Sequence, residues 1–276
     1  MRIDISAHLG HWPFRPLPDA TPGSLLVRMD ALGIDAAVVS NLHGLFYVHP
    51  RAANDELLAW RKAAGPAGER LWPLAVVNPS YPGWADEFDR CLDQGFLGFR
   101  LYPQYHDYGL ASADLAALLR RAEERNAPVA FSLRMIDARG RSWLDSRVVE
   151  AETEQLRLEA VARAIAPFPA LRCMVLQAIF EQLTPEAVDI LKRARVLFDT
   201  TRATTCGVAG PNSYDLVREQ ARFGAHRFAF GTMTPFTDRW SPVLRVEAGE
   251  FVAGEREALM GGHARAFLER NVRTRP

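Results

Sequence analysis

The chain has 276 residues, 48% of them hydrophobic and 24% charged, the mix of a soluble globular protein rather than a disordered one. Lysine plus arginine (33) balances aspartate plus glutamate (33), which argues against nucleic acid or an acidic membrane surface as the main partner. The three cysteines, Cys91, Cys173 and Cys206, are widely spaced and form neither a disulfide framework nor a Cys-x-x-Cys motif, favouring a reducing compartment. No apolar run reaches the ~18 residues of a membrane span, and the first residues lack the apolar region of a signal peptide. A cytoplasmic location is therefore expected.

Taken in order, short apolar runs alternate with amphipathic stretches. The first run, residues 2–7, is followed by a stretch at 24–32. The pattern repeats as 36–41 with 54–64, 71–78 with 84–92, 98–102 with 112–124, and 129–133 with 154–166. It continues as 173–178 with 185–194, 196–201 with 214–223, and 228–233 with 255–270. The runs have the mostly apolar character of strands buried on both faces of a parallel sheet. The stretches carry apolar residues at helical spacing, as in Asp114-Leu-Ala-Ala-Leu-Leu-Arg-Arg. Start and stop chemistry agrees: Thr184-Pro185-Glu186 reads as a capped helix start, and Gly95 and Gly224 as stops.

Eight such pairs in a chain of this length predict a (β/α)8 TIM barrel, a single domain over residues 1–276. A doubly wound open sheet is the rival. It usually has fewer units, and Gly-x-Gly-x-x-Gly is missing after the first strand. The charged segment 136–153, after the fifth strand, is long for a connecting loop and is expected over the active-site face.

In a barrel the ligand site forms from strand C-terminal ends and the loops that follow. The convergent residues are then Ser6, His8 and His11, Asn41 and His43, Arg100 and Tyr102, Ser132 and Arg134, Gln177 or Ala178, Asp199 to Arg202, and Met233. His8 is a group that can titrate near neutral pH. Arg100, Arg134 and Arg202 at strand ends suit a carboxylate or phosphate, because guanidinium binds such groups bidentately. Arg100 is equally open to a structural role inside the barrel. Trp12 and Tyr102 can line an apolar wall or anchor loops. Cys206 lacks an evident basic partner nearby in the sequence.

Several motifs resemble the amidohydrolase superfamily, in the family-two branch of metal-dependent hydrolases, lactonases and decarboxylases. Ile3-Asp-Ile-Ser-Ala-His-Leu-Gly resembles its opening strand, Gly95-Phe-Leu-Gly-Phe-Arg-Leu-Tyr-Pro its fourth and Ala127-Pro-Val-Ala-Phe-Ser its fifth. Val196-Leu-Phe-Asp-Thr-Thr resembles the seventh, Phe230-Gly-Thr-Met-Thr-Pro-Phe the eighth, and Leu259-Met-Gly-Gly-His-Ala-Arg-Ala-Phe-Leu the closing helix. The resemblance implies a metal held by two histidines on the first strand, one each on the fifth and sixth, and an aspartate on the eighth. Those positions carry Ser6, His8, Ser132, Ala178 (or Gln177, one residue earlier) and Met233 here. A divalent ion needs about three or four nitrogen, oxygen or thiolate donors, so no metal and no cofactor is expected. A non-standard site from His8, His11 and His43 stays open.

The expected function is a metal-independent hydrolase or lyase acting on a small, carboxylate-bearing substrate. His8 and Arg100 are the catalytic candidates. His11, Trp12, His43, Tyr102, Ser132, Arg134, Gln177, Arg202 and Met233 are the substrate-binding candidates. The alternative is an inactive barrel that binds a small molecule or a partner, and a homodimer is an open possibility.

Overall fold

The computed structural model describes residues 1–133, 135, 157–180, 183–205 and 213–272. Eight parallel strands form one sheet in the order β1 (Ile3–Leu9), β2 (Ala36–Asn41), β3 (Leu71–Val76), β4 (Gly98–Leu101), β5 (Val129–Ser132), β6 (Arg172–Leu176), β7 (Arg195–Asp199) and β10 (Phe228–Ala229). Hydrogen bonds from Ile5 N to Phe230 O (3.0 Å) and His8 N to Thr234 O (2.8 Å) link the two ends of that order. The chain is thus a TIM barrel with helices between its strands. A two-residue parallel pair, β8 (Ala203–Thr204) and β9 (Tyr214–Asp215), decorates the loop after β7.

Period-two geometry separates two apolar layers. Ile3, Ile5, Val38, Leu74, Ala130, Met174, Leu176 and Leu197 fill the barrel interior with Ala264 and Leu268 of the closing helix, His263–Val272. The alternate residues, such as Ala37, Val39, Phe99, Val129, Phe131 and Phe198, pack outward into the helix layer. A third cluster, including Trp12, Tyr102, Met135, Met233 and Phe236, lies at the C-terminal ends of the strands. Fully burying each large side chain contributes about 1.5–3 kcal/mol, so this alternation fixes strand register.

Strand β1 breaks the alternation once. Ile3 pairs with Ala36 but His8 pairs with Ser40, with an irregularity between Asp4 and Ala7. From Ile3 to His8, six residues on β1 therefore oppose five on β2, which is a β-bulge. Odd-numbered Ile3 and Ile5 face inward, whereas odd-numbered Ala7 and Leu9 face the helix layer. The extra residue turns His8 inward.

The expected elements are found with adjusted ends. Strand β6 stops at Leu176 because Gln177 takes φ 57°, and β7 stops at Asp199. The last strand is two residues long, since Phe230 N turns away to bond Leu259 O. Thr184 caps its helix, Pro185–Arg193, by accepting from Ala187 N. The expected final helix is interrupted by a π-turn at Ala258–Gly262. There a Cβ on Gly261 would lie 2.1 Å from Met1 O, so only glycine allows the turn to pack against the N-terminus. A helix at Ser241–Glu247 had no counterpart in the sequence reading. Arg134, Cys206 and segment 136–153 lie outside the described residues.

Candidate active site

His8 is fully buried on the inner side of β1. Its Nδ1 lies 3.1 Å from Thr234 O. A carbonyl oxygen only accepts, so Nδ1 carries the proton and Nε2 presents a lone pair in the neutral ring. Nε2 is buried and has no hydrogen-bond partner among the described residues. Burial, then the neighbouring positive Arg100, hold the imidazole pKa well below its usual 6.5. The ring is therefore neutral at pH 7 and shaped as a proton acceptor.

Arg100, on β4, is equally buried. Its Nη1 donates to Ala7 O (2.7 Å) and Ser40 Oγ (3.0 Å). Among the described residues, Nε and Nη2 are buried without hydrogen-bond partners and no carboxylate forms an ion pair with the guanidinium. Burial lowers its pKa, while Tyr102, Asp199 and Asp4 oppose that effect. Tyr102 OH closes the group with a 2.7 Å bond to Ser40 Oγ. A buried guanidinium with two uncompensated N–H groups is a strong place for an anionic oxygen.

Across the barrel, Asp199 accepts from Gln177 N (2.9 Å), Gln177 Nε2 (3.3 Å) and Thr201 Oγ1 (2.5 Å). Ser6 Oγ lies 3.1 Å from Thr201 Oγ1 and accepts from Met233 N at 3.0 Å. Burial raises the Asp199 pKa, and hydrogen bonds from Thr201, Gln177 and Ser6 counter it. Gly231 completes this floor: a Cβ there would lie 2.8 Å from Ser6 Oγ and 2.9 Å from Asp199 Cβ. Asp4, under the same loop, accepts from Thr232 N and Oγ1.

Aromatic side chains roof the site. Trp12 meets Phe236 edge-on with centroids 4.8 Å apart, and Phe236 meets His8 edge-on at 6.0 Å. Tyr102 lies 6.4 Å from the His8 ring. Met233, at φ 57°, is buried in the same cluster.

The structure thus brings His8, Arg100, Tyr102, Ser132, Gln177, Met233 and Trp12 to the strand ends, all buried. Ser132 Oγ is also buried without a partner. The choice between Gln177 and Ala178 is decided by packing: Ala178 belongs to the outer layer, whereas the Gln177 amide bonds Asp199. His43 spends both ring nitrogens elsewhere, Nδ1 on Glu56 Oε2 (2.7 Å) and Nε2 on the His11 backbone N–H (3.2 Å). The His11 side chain is exposed and Arg202 is half-buried beyond β7. Asn41 faces outward to Ala53 O and Glu56. Its neighbour Ser40 occupies the inner position, which the period-two register with His8 identifies. Thr234 and Phe236 lie in the segment that resembles the family's eighth strand, but neither was among the candidate site residues.

The metal-ligand positions implied by the family resemblance do not assemble a donor set. Ser6 Oγ is taken up by Met233 N and Thr201, Met233 offers a thioether, and Arg100 adds a buried cation beside His8. Among the described residues, no group of three or more His, Cys, Asp or Glu side chains is arranged to hold a metal ion. The described residues at these positions do not fit a divalent ion.

The family model described as amidohydrolase matches residues 3–270. Among solved structures, the chain is similar to 5-carboxyvanillate decarboxylase from Sphingomonas paucimobilis (15% identity, TM-score 0.69, 97% of this chain and 98% of that one). It is also similar to 2,6-dihydroxybenzoate decarboxylase complexed with 2,6-dihydroxybenzoate (16%, 0.66, 98% and 99%). A third likeness is to an uncharacterised TIM-barrel protein from Bordetella bronchiseptica (16%, 0.69, 99% of each chain). At these identities the likeness concerns the fold. No curated protein sequence matches this chain.

Proposed function

Since the chain belongs to the amidohydrolase family, we propose that its barrel mouth is the active site of a metal-independent hydrolase or lyase for small organic anions. The observation that carries this reading is the pairing of a neutral, acceptor-only His8 with Arg100, whose Nε and Nη2 are unpartnered, in a dry site. Arg100 binds the substrate carboxylate or a developing oxyanion, where a fixed charge acts strongly in a water-poor setting. His8 handles the proton.

For an ester or lactone, His8 Nε2 takes a proton from water as its oxygen bonds to the carbonyl carbon. The carbonyl electron pair moves onto oxygen beside Arg100. Collapse expels the alkoxide, which recovers the proton from Nε2. For decarboxylation, Arg100 holds the carboxylate while His8 Nε2 accepts a proton from a substrate hydroxyl; the carbon–carbon bond then breaks, carbon dioxide departs, and the carbon left with the electron pair takes that proton from Nε2. The rings of Trp12, Tyr102 and Phe236 supply an apolar surface for an unsaturated or aromatic body. A solved relative in fold carries 2,6-dihydroxybenzoate, a small aromatic carboxylate, in line with this class. Ser132, Gln177 and Met233 complete the binding surface. His11, His43 and Arg202 are assigned to its rim, and Arg134, outside the described residues, stays a binding candidate on its sequence position after β5.

No described helix is long and apolar enough to cross a membrane, and Cys91 and Cys173 are free and buried. A cytoplasmic enzyme, alone or as a homodimer, fits these features. A second reading, a barrel that binds without turnover, draws on the apolar roof that leaves His8 and Arg100 with no exposed surface. One experiment separates them: protein purified without chelator is assayed for metal content and for turnover of esters, lactones and aromatic carboxylates. Turnover lost in His8→Ala with the fold retained supports the enzyme. Stoichiometric metal whose removal abolishes activity overturns metal independence, and binding without turnover selects the second reading.

A further inference from the structure

The amide of Gln177 has a fixed polarity. Its Nε2 faces Asp199 Oδ2, which also receives the Thr201 hydroxyl, while Asp199 Oδ1 receives Gln177 N. A carboxylate surrounded by donors cannot face the amide oxygen, since two acceptors would then oppose each other, and the network assigns the orientation. Oε1 is consequently turned away from Asp199, buried and without a partner. Gln177 sits at φ 57° immediately beyond β6, so backbone and side chain are both held by one carboxylate.

The same logic fixes His8. Its Nδ1–H is committed to Thr234 O, and Nε2 is left as a buried, unpartnered acceptor. The mouth therefore carries two fixed acceptors, His8 Nε2 and Gln177 Oε1, and two unpartnered donors on Arg100. A bond left unmade at a buried acceptor is costly, so a ligand that supplies donors there is preferred over one that does not.

We infer that Asp199 is a positioning residue that sets the hydrogen-bond polarity of the site. By holding Gln177 Oε1 free, it selects small carboxylates that also carry a hydroxyl or amino donor on the part of the molecule remote from Arg100. This inference rests on the proposal that the mouth binds small carboxylates. Asp199 does not touch the substrate. Its effect runs through the Gln177 amide.

The test uses titration calorimetry with benzoate and the meta and para isomers of aminobenzoate and nitrobenzoate, matched in shape but opposite in hydrogen-bond character. The wild-type protein binds the better aminobenzoate about tenfold more tightly than its nitro counterpart, the factor expected from one such bond. In Asp199→Asn the new amide nitrogen donates toward Gln177, whose amide turns over and presents Nε2 to the ligand. The amino-to-nitro ratio then falls to one or inverts. A structural role would weaken both ligands alike and keep the ratio, which overturns the inference. Should Asp199→Asn fail to fold, Gln177→Leu decides: a ratio near one supports the inference, and a retained ratio overturns it. Wild-type binding of all five acids with equal affinity overturns the inference but leaves the carboxylate-binding mouth standing. Binding of none overturns both.

Discussion

His8 is bonded twice to one atom: its backbone N–H (2.8 Å) and its ring Nδ1 (3.1 Å) both reach Thr234 O. The carbonyl belongs to the main chain, so the histidine tautomer is set by something that substitution at position 234 does not remove. The Thr234 side chain only shares a hydrogen bond with Thr232 Oγ1. Thr234→Val should therefore keep kcat and KM within about threefold while losing roughly 1 kcal/mol of stability. His8→Ala should lower kcat by about 100-fold or more. Steady-state kinetics on both variants check the contrast, and a Thr234→Val enzyme as impaired as His8→Ala would contradict it.

The pH profile follows from the environment of His8. Burial first, then Arg100, depress its pKa below 6.5. The neutral ring is the active base, so activity is present above the folded pKa and lost as pH falls through it. The acid limb of kcat/KM, which reports the free enzyme, is expected below pH 6.5. Arg100→Met removes the second cause and leaves burial in place. Its residual activity should show the acid limb displaced upward, and a limb that stays put would separate the two residues electrostatically.

Restoring one carboxylate should not restore a metal centre. Met233→Asp would place a carboxylate near His8, yet Ser6 remains committed to the backbone N–H at 233, and Ser132 and Gln177 are neutral. Metal analysis of this variant after zinc incubation and desalting should give far less than one ion per chain. Stoichiometric zinc would show that water or other groups complete the site.

Away from the mouth, the guanidinium of Arg28 fastens the first helix, Pro22–Leu32, to the loop after β10. It is 1% exposed and reaches Asp19 Oδ2 (3.3 Å), Thr237 O (3.3 Å) and Asp238 O (2.8 Å). Arg28→Met leaves Asp19 with only the partly exposed Arg239 as a cationic partner among the described residues. Breaking a buried pair typically costs about 3–5 kcal/mol, which a urea midpoint would read directly. A loss under 1 kcal/mol would mean that Arg239 suffices.

Much of this architecture was legible because burial leaves a periodic trace. All eight barrel strands show as apolar runs, and the position of Arg100 and Tyr102 at the end of the fourth run put both among the convergent residues, where the structure buries them. Parity failed where the backbone departs from a regular strand. Gln177 at φ 57° displaced the end of β6, which is why the sequence left Gln177 and Ala178 as equals. Ser40 was overlooked in favour of Asn41 because register between strands, not composition, decides which of two adjacent polar residues faces inward. The tautomer of His8 depends on a carbonyl 226 positions away, and no local pattern encodes that.

The bulge in β1 has an implication for how this site can be altered. Between Ile5 and Ala7 the inward parity switches from odd to even, so His8 reaches the mouth by count rather than by chemical preference. Deleting Ser6 would let the strand run regularly with His8 still opposite Ser40, whereas inserting one residue there would bring Ala7 to that place and set a methyl group where the imidazole stands. An insertion in this strand is thus a different hazard from a substitution: it re-addresses the side chains wholesale. In a barrel whose first strand is regular, the histidine reaches the same place one position earlier in the count.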